Sequence, residues 1–524
     1  MSSHFKKILL TAFLIGIIVP ATAQQLNYTL SKDFLWGIDN YYNSSAQNYQ
    51  TFSKPYLYAD VNEIKDSTAL IPSYFHGLKT AKGPKRFEIN AFPLLNAGVT
   101  YQAGPNELSR DLAIGGGLIM NFRNKFSVNV KVLVGKASYP DFMQSNIENT
   151  YVIPGIGYAY RANTDSLNPL YAYQYYSGYL SYSPNKIFNV QVGQDKQFFG
   201  DGYRSLFLSD VAAPYPYLKI TTRIWHLTYI NLYTIMKDAT NPSGLKKDWL
   251  NKYATFHYLG WNATKRIQIG LFESIMWQGS DSNRYRGYDV NYLNPILFFR
   301  PTEYSLGSSD NAFAGFSFKI KLFKKQQLYG QLLLDEFLLK EIKAQNGWWA
   351  NKYGLQGGFK SFDLFKIKQL NFQTEVNYVR PYTYAHGSVQ QNYGHMNQPL
   401  AHPLGANFME SATFLNYRFR SFFIEAKCVY AIYGADSLGT DYGKNIFISY
   451  NKRPADYGNT TTQGIKTNLI NVSLRVAFMV YTKINLKAEF GIAERIEQTA
   501  AKTTQTPLIF LGIRTDLSNL YADF

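Results

Sequence analysis

Residues 126–134 read "FSVNVKVLV", an alternation that puts Phe126, Val128, Val130, Val132 and Val134 on one face and Ser127, Asn129 and Lys131 on the other. Successive side chains of a strand point to opposite faces, so the stretch predicts a strand with one apolar and one polar side. The same pattern returns far away. In "NFQTEVNYV" (371–379), Phe372, Thr374, Val376 and Tyr378 oppose Asn371, Gln373, Glu375 and Asn377. In "KINLKAEFGI" (483–492), Ile484, Leu486, Ala488, Phe490 and Ile492 oppose Lys483, Asn485, Lys487 and Glu489.

A soluble sandwich also alternates, with its polar face toward water. Segment length and composition separate the two folds. The alternating segments run about ten residues, as a tilted strand crossing a bilayer requires. The chain carries 43 Tyr and 37 Phe, so aromatics reach 17%, yet its mean hydropathy is only −0.24. Aromatic girdles and outward apolar faces around a polar interior give that combination. The pattern predicts an all-β chain, a transmembrane antiparallel outer-membrane β-barrel, with about 16 to 18 strands between Arg86 and Arg514. A barrel this wide cannot be filled by its own wall, so its lumen holds water or a plug.

At the N-terminus, Lys6 and Lys7 precede the apolar run Ile8 to Val19, and Ala21-Thr22-Ala23 offers a small-residue cleavage site. Residues 1–23 are predicted to be a secretory signal peptide, 24–84 an N-terminal extension or plug-like segment, and 85–524 the barrel. The apolar run is too short for a spanning helix, and no later stretch approaches the roughly 20 residues one needs. The single cysteine, Cys428, excludes an internal disulfide, so packing and backbone hydrogen bonds must hold the fold. The net charge of +17 favours polyanions, and export makes acidic glycans or lipid phosphates the expected partners rather than nucleic acid.

Four blocks concentrate polar and aromatic chemistry. "QDKQFFGDGYRSL" (194–206) carries Asp195, Lys196, Phe199, Asp201 and Arg204. Its glycines permit a turn with positive φ and its aromatics offer flat faces, so it reads either as a structural turn with an Asp–Arg pair or as a sugar-binding turn. "NYLNPILFFRPTEYSLGSSDNAFAGFSFK" (291–319) adds Arg300 and Glu303, a candidate luminal pair. "LLLDEFLLKEI" (332–342), followed by "GWWANKYGLQGG" (347–358), adds Asp335, Glu336 and Trp348. Paired carboxylates beside aromatics evoke glycoside hydrolysis, with Glu303 and Glu375 as further candidates, but adjacent strand residues point to opposite faces, which argues against Asp335 with Glu336. "VRPYTYAHGSVQQNYGHMNQPLAHPLGANF" (379–408) adds Arg380, Tyr382, His386, His395 and His402. The histidine spacing matches no familiar zinc pattern, and neither metal nor cofactor is expected.

Together the blocks resemble the Wzi-type capsule-assembly family, and more closely its Bacteroidota branch, the RemB-like gliding-motility proteins. The resemblance is carried by "FFGDGYRSLFLSD" with "PYPYLK", "LNPILFFRPTEYSLGSSDNAFAG", "LLLDEFLL" with "WWANKYGLQGG", "RPYTYAH" with "QPLAHPLGANF", and the ending "LGIRTDLSNLYADF", from about residue 190 onward. It implies a monomeric outer-membrane barrel of about 18 strands with an obstructed lumen, holding capsule or exopolysaccharide without turnover. Phe524 with Tyr521 resembles the closing-strand signal of such barrels. The expected ligand contacts are Asp195, Lys196, Phe199, Asp201, Arg204, Arg300, Glu303, Asp335, Glu336, Trp348, Arg380, Tyr382, His386 and His402, with Asp195, Asp201 and Arg204 in one polar cluster beside Phe199. The competing functions are a solute-conducting channel and a structural component of gliding or secretion machinery.

Overall fold

A computed structural model describes residues 26–44, 49–61, 87–122, 125–163, 169–241, 243–280, 285–296, 310–437, 439–515 and 518–524. The predicted signal peptide, residues 62–84 of the predicted extension, and Arg300 and Glu303 lie outside them.

Eighteen long strands form one closed antiparallel barrel. In chain order they are β1 (Phe87–Gln102), β2 (Glu107–Phe122), β3 (Phe126–Ala137), β4 (Tyr171–Tyr182), β5 (Phe188–Asp195) and β6 (Tyr215–Ile224). Next come β7 (Leu227–Asp238), β8 (Leu250–Asn262), β9 (Ile267–Gln278), β10 (Asn311–Phe323), β11 (Gln326–Leu334) and β12 (Tyr353–Ser361). The last six are β13 (Leu370–Val379), β14 (Phe408–Phe419), β15 (Phe422–Ala435), β16 (Ile465–Tyr481), β17 (Leu486–Gln498) and β18 (Thr503–Arg514). Each pairs with its neighbour in sequence, and β18 closes on β1 from Asn96↔Arg514 to Gln102↔Leu508. Closure leaves no strand edge unpaired.

Burial along the strands is inside-out. On β3, Val130, Val132 and Val134 are 42%, 45% and 48% exposed, whereas Ser127 and Asn129 are buried. On β13, Asn371, Gln373, Glu375 and Asn377 are buried while Val376 is 54% exposed. A sandwich buries its apolar face, so this inversion is decisive for a lipid-facing barrel. The β17 alternation begins at Leu486, because Thr482–Ile484 form a short 3-10 turn.

Connections alternate in length. Short turns such as 225–226 and 420–421 lie on one rim, and long loops such as 196–214, 335–352, 380–407 and 436–464 on the other. Phe122, Trp225, Trp261, Phe323, Phe419 and Tyr481 all stand exposed at the short-turn end. They form an aromatic girdle at one membrane interface, and in barrels of this kind short turns are periplasmic and long loops extracellular.

The lumen is plugged. Helix α1 (Lys32–Ser44) sits against the short turns, where Asn43 donates to the carbonyls of Phe323 and Lys324 and Lys360 pairs with Asp39 at 2.7 Å. Above it, Ser53–Lys54 pair antiparallel with Phe198–Phe199 of the 196–214 loop. Loop 380–407 closes over these from the other rim: Tyr384 donates to the Leu206 carbonyl at 2.8 Å and Tyr393 to the Phe207 carbonyl at 2.5 Å. The largest apolar cluster therefore lies in the lumen and includes Phe199, Leu206, Phe207, Tyr258, Tyr384 and Leu400.

The chain end corrects the sequence reading. Tyr521 and Phe524 do not close the barrel, since β18 stops at Arg514 and residues 518–524 turn into the lumen. Interior partners draw them in: Tyr521 donates to Asp210 at 2.5 Å, and Arg495 donates to the Phe524 carbonyl at 3.2 Å.

A charge on the lipid face should be costly. Val132→Lys is expected to destabilise the barrel by about 2–4 kcal/mol, as mid-bilayer lysines do, read as a lower urea midpoint of unfolding in lipid. An unchanged midpoint would contradict the assignment of this face.

Candidate functional site

The 196–214 loop enters the lumen because the barrel wall offers partners for its backbone. Gln331 of β11 accepts from the Leu206 N–H at 2.8 Å and donates to the Phe199 carbonyl at 2.9 Å. Glu375 of β13 accepts from the N–H groups of Tyr203 at 2.8 Å and Arg204 at 3.1 Å, and from the Tyr329 hydroxyl at 2.8 Å. A Cβ on Gly202 would lie 2.3 Å from Glu375 Oε2, so that position is reserved for close approach and not for the positive φ the sequence suggested.

Arg204 is the centre of this lock. Its Nη2 reaches Glu410 of β14 at 3.0 Å and Asp523 at 3.1 Å, and the side chains of all three are 0% exposed. Tyr203 donates to Asp523 at 2.5 Å and Lys427 pairs with it at 3.0 Å. Glu410 also receives His402 Nε2 at 2.8 Å. The Leu404 N–H donates to His402 Nδ1 at 3.2 Å, so the ring proton resides on Nε2 and is given to Glu410. Burial lowers the His402 pKa, which keeps that ring neutral at physiological pH. Burial alone would raise the Asp523 carboxyl, but Arg204, then Lys427, outweigh it and hold it well below the usual carboxylate range.

The expected single cluster of Asp195, Asp201 and Arg204 is not formed. Asp201 accepts from Thr51 at 2.6 Å and faces Lys319 at 3.7 Å, while Asp195 ends β5 and accepts from the Lys196 N–H at 2.8 Å. Each carboxylate has its own partners because the loop runs through the lumen and does not turn on itself. Phe199 is fully buried, and Lys196 is buried with its ammonium on the Asp210 carbonyl at 3.0 Å. Buried side chains such as these, with His402, hold the plug and do not face solvent.

Blocks three and four meet at the long-loop rim. Asp335 and Glu336 lie just past the end of β11 and both reach the Lys352 ammonium, at 3.1 and 3.5 Å. The opposite-face rule does not apply to them because the strand has ended at Leu334. Asp335 is buried and accepts from the Tyr384 N–H, whereas the Glu336 side chain is 36% exposed. Arg380 donates to the Asn351 carbonyl at 2.8 Å, and the buried Tyr382 donates to the Asp441 carbonyl at 3.0 Å, so both tie loops together. His386 is buried, accepts from the Ser388 N–H and lies 5.7 Å from the Tyr450 ring. His395 accepts from the Lys237 N–H, so the three histidines have separate partners.

Trp348 and Trp349 stand half-buried at this rim. Trp349 packs on Tyr450 with ring centroids 4.7 Å apart, and the Arg453 guanidinium lies 4.0 Å above the indole. Arg453 is held by Asp456 at 2.7 Å, and the Trp349 backbone N–H donates to the Asp456 carbonyl at 2.8 Å. Beside them Asp456 and Tyr457 are exposed. The result is an aromatic ledge edged by Glu336, Arg453 and Asp456, built to stack on a flat apolar face while bonding polar groups at its rim. Tyr450, Arg453 and Asp456 escaped sequence reading because "SYNKRPADYGN" (449–459) has neither alternation nor a motif. Its one usable signal was cationic and aromatic residues beside a proline in a long loop.

Arg204→Ala should leave Glu410 and Asp523 buried without their guanidinium, a loss of about 3–5 kcal/mol. It should appear as a lower temperature for loss of the folded gel mobility and as protease access to residues 518–524. Acid should act through the same carboxylate. A depressed Asp523 pKa contributes stability above the usual aspartate range, lost as pH falls through the folded value. The tail should stay docked at pH 5 and loosen in stronger acid, by hydrogen exchange, and Asp523→Asn should reduce that dependence.

Among solved structures the chain is similar to Wzi, an outer membrane protein involved in group 1 capsule assembly in Escherichia coli and a carbohydrate-binding β-barrel. The TM-score is 0.58 at 13% identity, over 94% of this chain and 99% of that chain. It is also matched to OprD of Pseudomonas aeruginosa, at TM-score 0.43 and 9% identity over 83% of this chain and 96% of that one. OccAB2 of Acinetobacter baumannii gives TM-score 0.43 and 10% identity, over 82% and 97%. No protein-family description matches the sequence, and no curated protein does. The likeness to Wzi is one of fold; with the inside-out wall and the aromatic girdle, it makes this chain an outer-membrane β-barrel of eighteen strands.

Proposed function

We propose that this barrel holds surface polysaccharide, capsule or exopolysaccharide, on its long-loop rim and does so without turnover. The observation that carries the reading is the ledge of Trp348, Trp349 and Tyr450, with Arg453, Asp456 and Glu336 at its edge. Aromatic faces stack on the C–H faces of sugar rings, and charged edges bond hydroxyls or the carboxylates of acidic sugars. Three features support it. The net charge of +17 favours an acidic glycan. The central polar groups of the lumen are consumed by the plug, which leaves the outer rim as the place to meet a polymer. The barrel shares its fold with Wzi, itself carbohydrate-binding.

A hydrolase reading is less favoured. Asp335 and Glu336 share one lysine, and Glu375 spends both oxygens on backbone and side-chain donors, so neither arrangement leaves an acid and a nucleophile facing each other across a sugar. In a gliding cell, as in the RemB-like branch, retained exopolysaccharide would link the surface to its track, and the same binding would serve motility.

Purified barrel should retain the organism's own exopolysaccharide in calorimetry, more weakly at high salt if the glycan is acidic. Trp349→Ala should weaken retention about tenfold, or ~1.4 kcal/mol, without moving the folded gel band. Native glycans that fail to bind, or a Trp349→Ala variant that binds as well as wild type, would sink the reading.

A further inference from the structure

The plug does not fill the lumen evenly. Around Phe199, Phe207 and Tyr258 the packing is a continuous apolar core. Among the cavities left beside the plug, two meet at the first turn of α1. One, of about 310 Å³, opens at the short-turn rim between α1 and the turns and is lined by Trp36, Asn40, Lys325, Asp363 and Asn416. The other, of about 420 Å³, runs up the wall between the plug and β16 to β1, and is lined by Asn96, Asn471, Ser473, Phe510 and Asn519. Both are lined by Asp33, Glu425 and Arg475.

That shared boundary is ionic. Asp33, in the first turn of α1, pairs with Arg475 of β16 and, at 2.7 Å, with Lys487 of β17. Glu489 reaches Lys487 at 3.4 Å, Arg475 at 3.5 Å and Arg514 of β18 at 2.9 Å. Glu425 of β15 lies 3.9 Å from Arg475. Five of the six charges belong to the wall, and Asp33 alone comes from the plug. The cavity above mixes amides and hydroxyls with Phe142, Leu508 and Phe510, and the side chains that line both it and the vestibule below are the charged Asp33, Glu425 and Arg475. A charged ring of this kind selects ions wherever it lines a passage.

We propose that the two cavities are halves of one passage for small ions and polar solutes, closed by the Asp33 cluster, so that the barrel has a latent conduction path beside its plug. Asp33 is the gate residue because it bridges plug to wall. With its carboxylate removed, Arg475, Lys487 and Arg514 face Glu425 and Glu489, so the opened constriction carries an excess positive charge and prefers anions.

The test is conductance of the full-length barrel in planar bilayers. Wild type is expected to be silent, and Asp33→Ala and Asp33→Asn to show discrete steps at least tenfold more frequent, with a reversal potential of anionic sign. The asparagine variant keeps the size of the side chain, and the folded gel band checks both barrels. A second arm holds α1 in place: cysteines at Asp39 and Lys360, whose side chains meet at 2.7 Å and line neither cavity, are joined by a short bis-maleimide in a Cys428→Ser background. Asp33 variants that conduct with the tether closed support a passage beside the helix. Steps seen only with the tether absent would mean that α1 leaves the barrel, which overturns the proposal. Silent Asp33 variants, or a wild type that conducts equally, would also overturn it.

Discussion

An eighteen-strand wall encloses more space than its own side chains fill, and its inner face carries charges that need partners out of bulk water. Every other feature of the molecule answers that constraint. The Arg204 guanidinium is the clearest case. It draws together a wall strand through Glu410 and the chain end through Asp523, while its own loop is fixed to a second wall strand through Glu375. Removing one buried partner leaves the others with uncompensated charge, so such a lock is held by the cost of breaking it more than by the strength of any single pair.

The wall was legible from sequence because its physics is local. Period-two alternation needs no knowledge of distant residues, and β3 and β13 show the faces assigned to "FSVNVKVLV" and "NFQTEVNYV". What alternation alone leaves open is the sign of the environment, since an apolar face suits a core or a bilayer equally. Exposed Val130, Val132 and Val134 opposite buried Ser127 and Asn129 decide it. The aromatic-rich composition pointed the same way, and its physical counterpart is the girdle at the short turns.

The lumen was not legible, because its contacts join residues hundreds of positions apart. Arg204 meets Asp523 and Asp39 meets Lys360 across gaps that no periodicity encodes. The block 194–206 was conspicuous for its polar residues, and they are conspicuous because a loop threaded through a polar lumen must satisfy the wall on several sides. Density of charge in a sequence marked the place where charges are buried. The rim ledge shows the converse. Tyr450, Arg453 and Asp456 stand in an unpatterned loop, and only the chain's return beside Trp349 makes them a surface.

The two kinds of aromatic site on this molecule differ in what they have left to offer. Tyr203 and Tyr521 in the lumen have given their hydroxyls to Asp523 and Asp210, and the Lys32 ammonium occupies their faces at 3.2 and 4.2 Å. Trp349 is engaged by Arg453 and packs on Tyr450 yet remains half-buried, while Trp348 lies beside it, also half-buried, at a ring separation of 6.4 Å. Arg453 is itself neutralised by Asp456, so the ledge combines a polarised aromatic surface with an ion pair already accustomed to water. Asp456, 57% exposed, can give up this partner for a ligand hydroxyl at small cost, because ion pairs at a surface are worth only about 0–1 kcal/mol. The same exchange at Arg204 would abandon two buried carboxylates. That asymmetry makes the rim the less costly place to exchange a partner and leaves the centre of the barrel to structure.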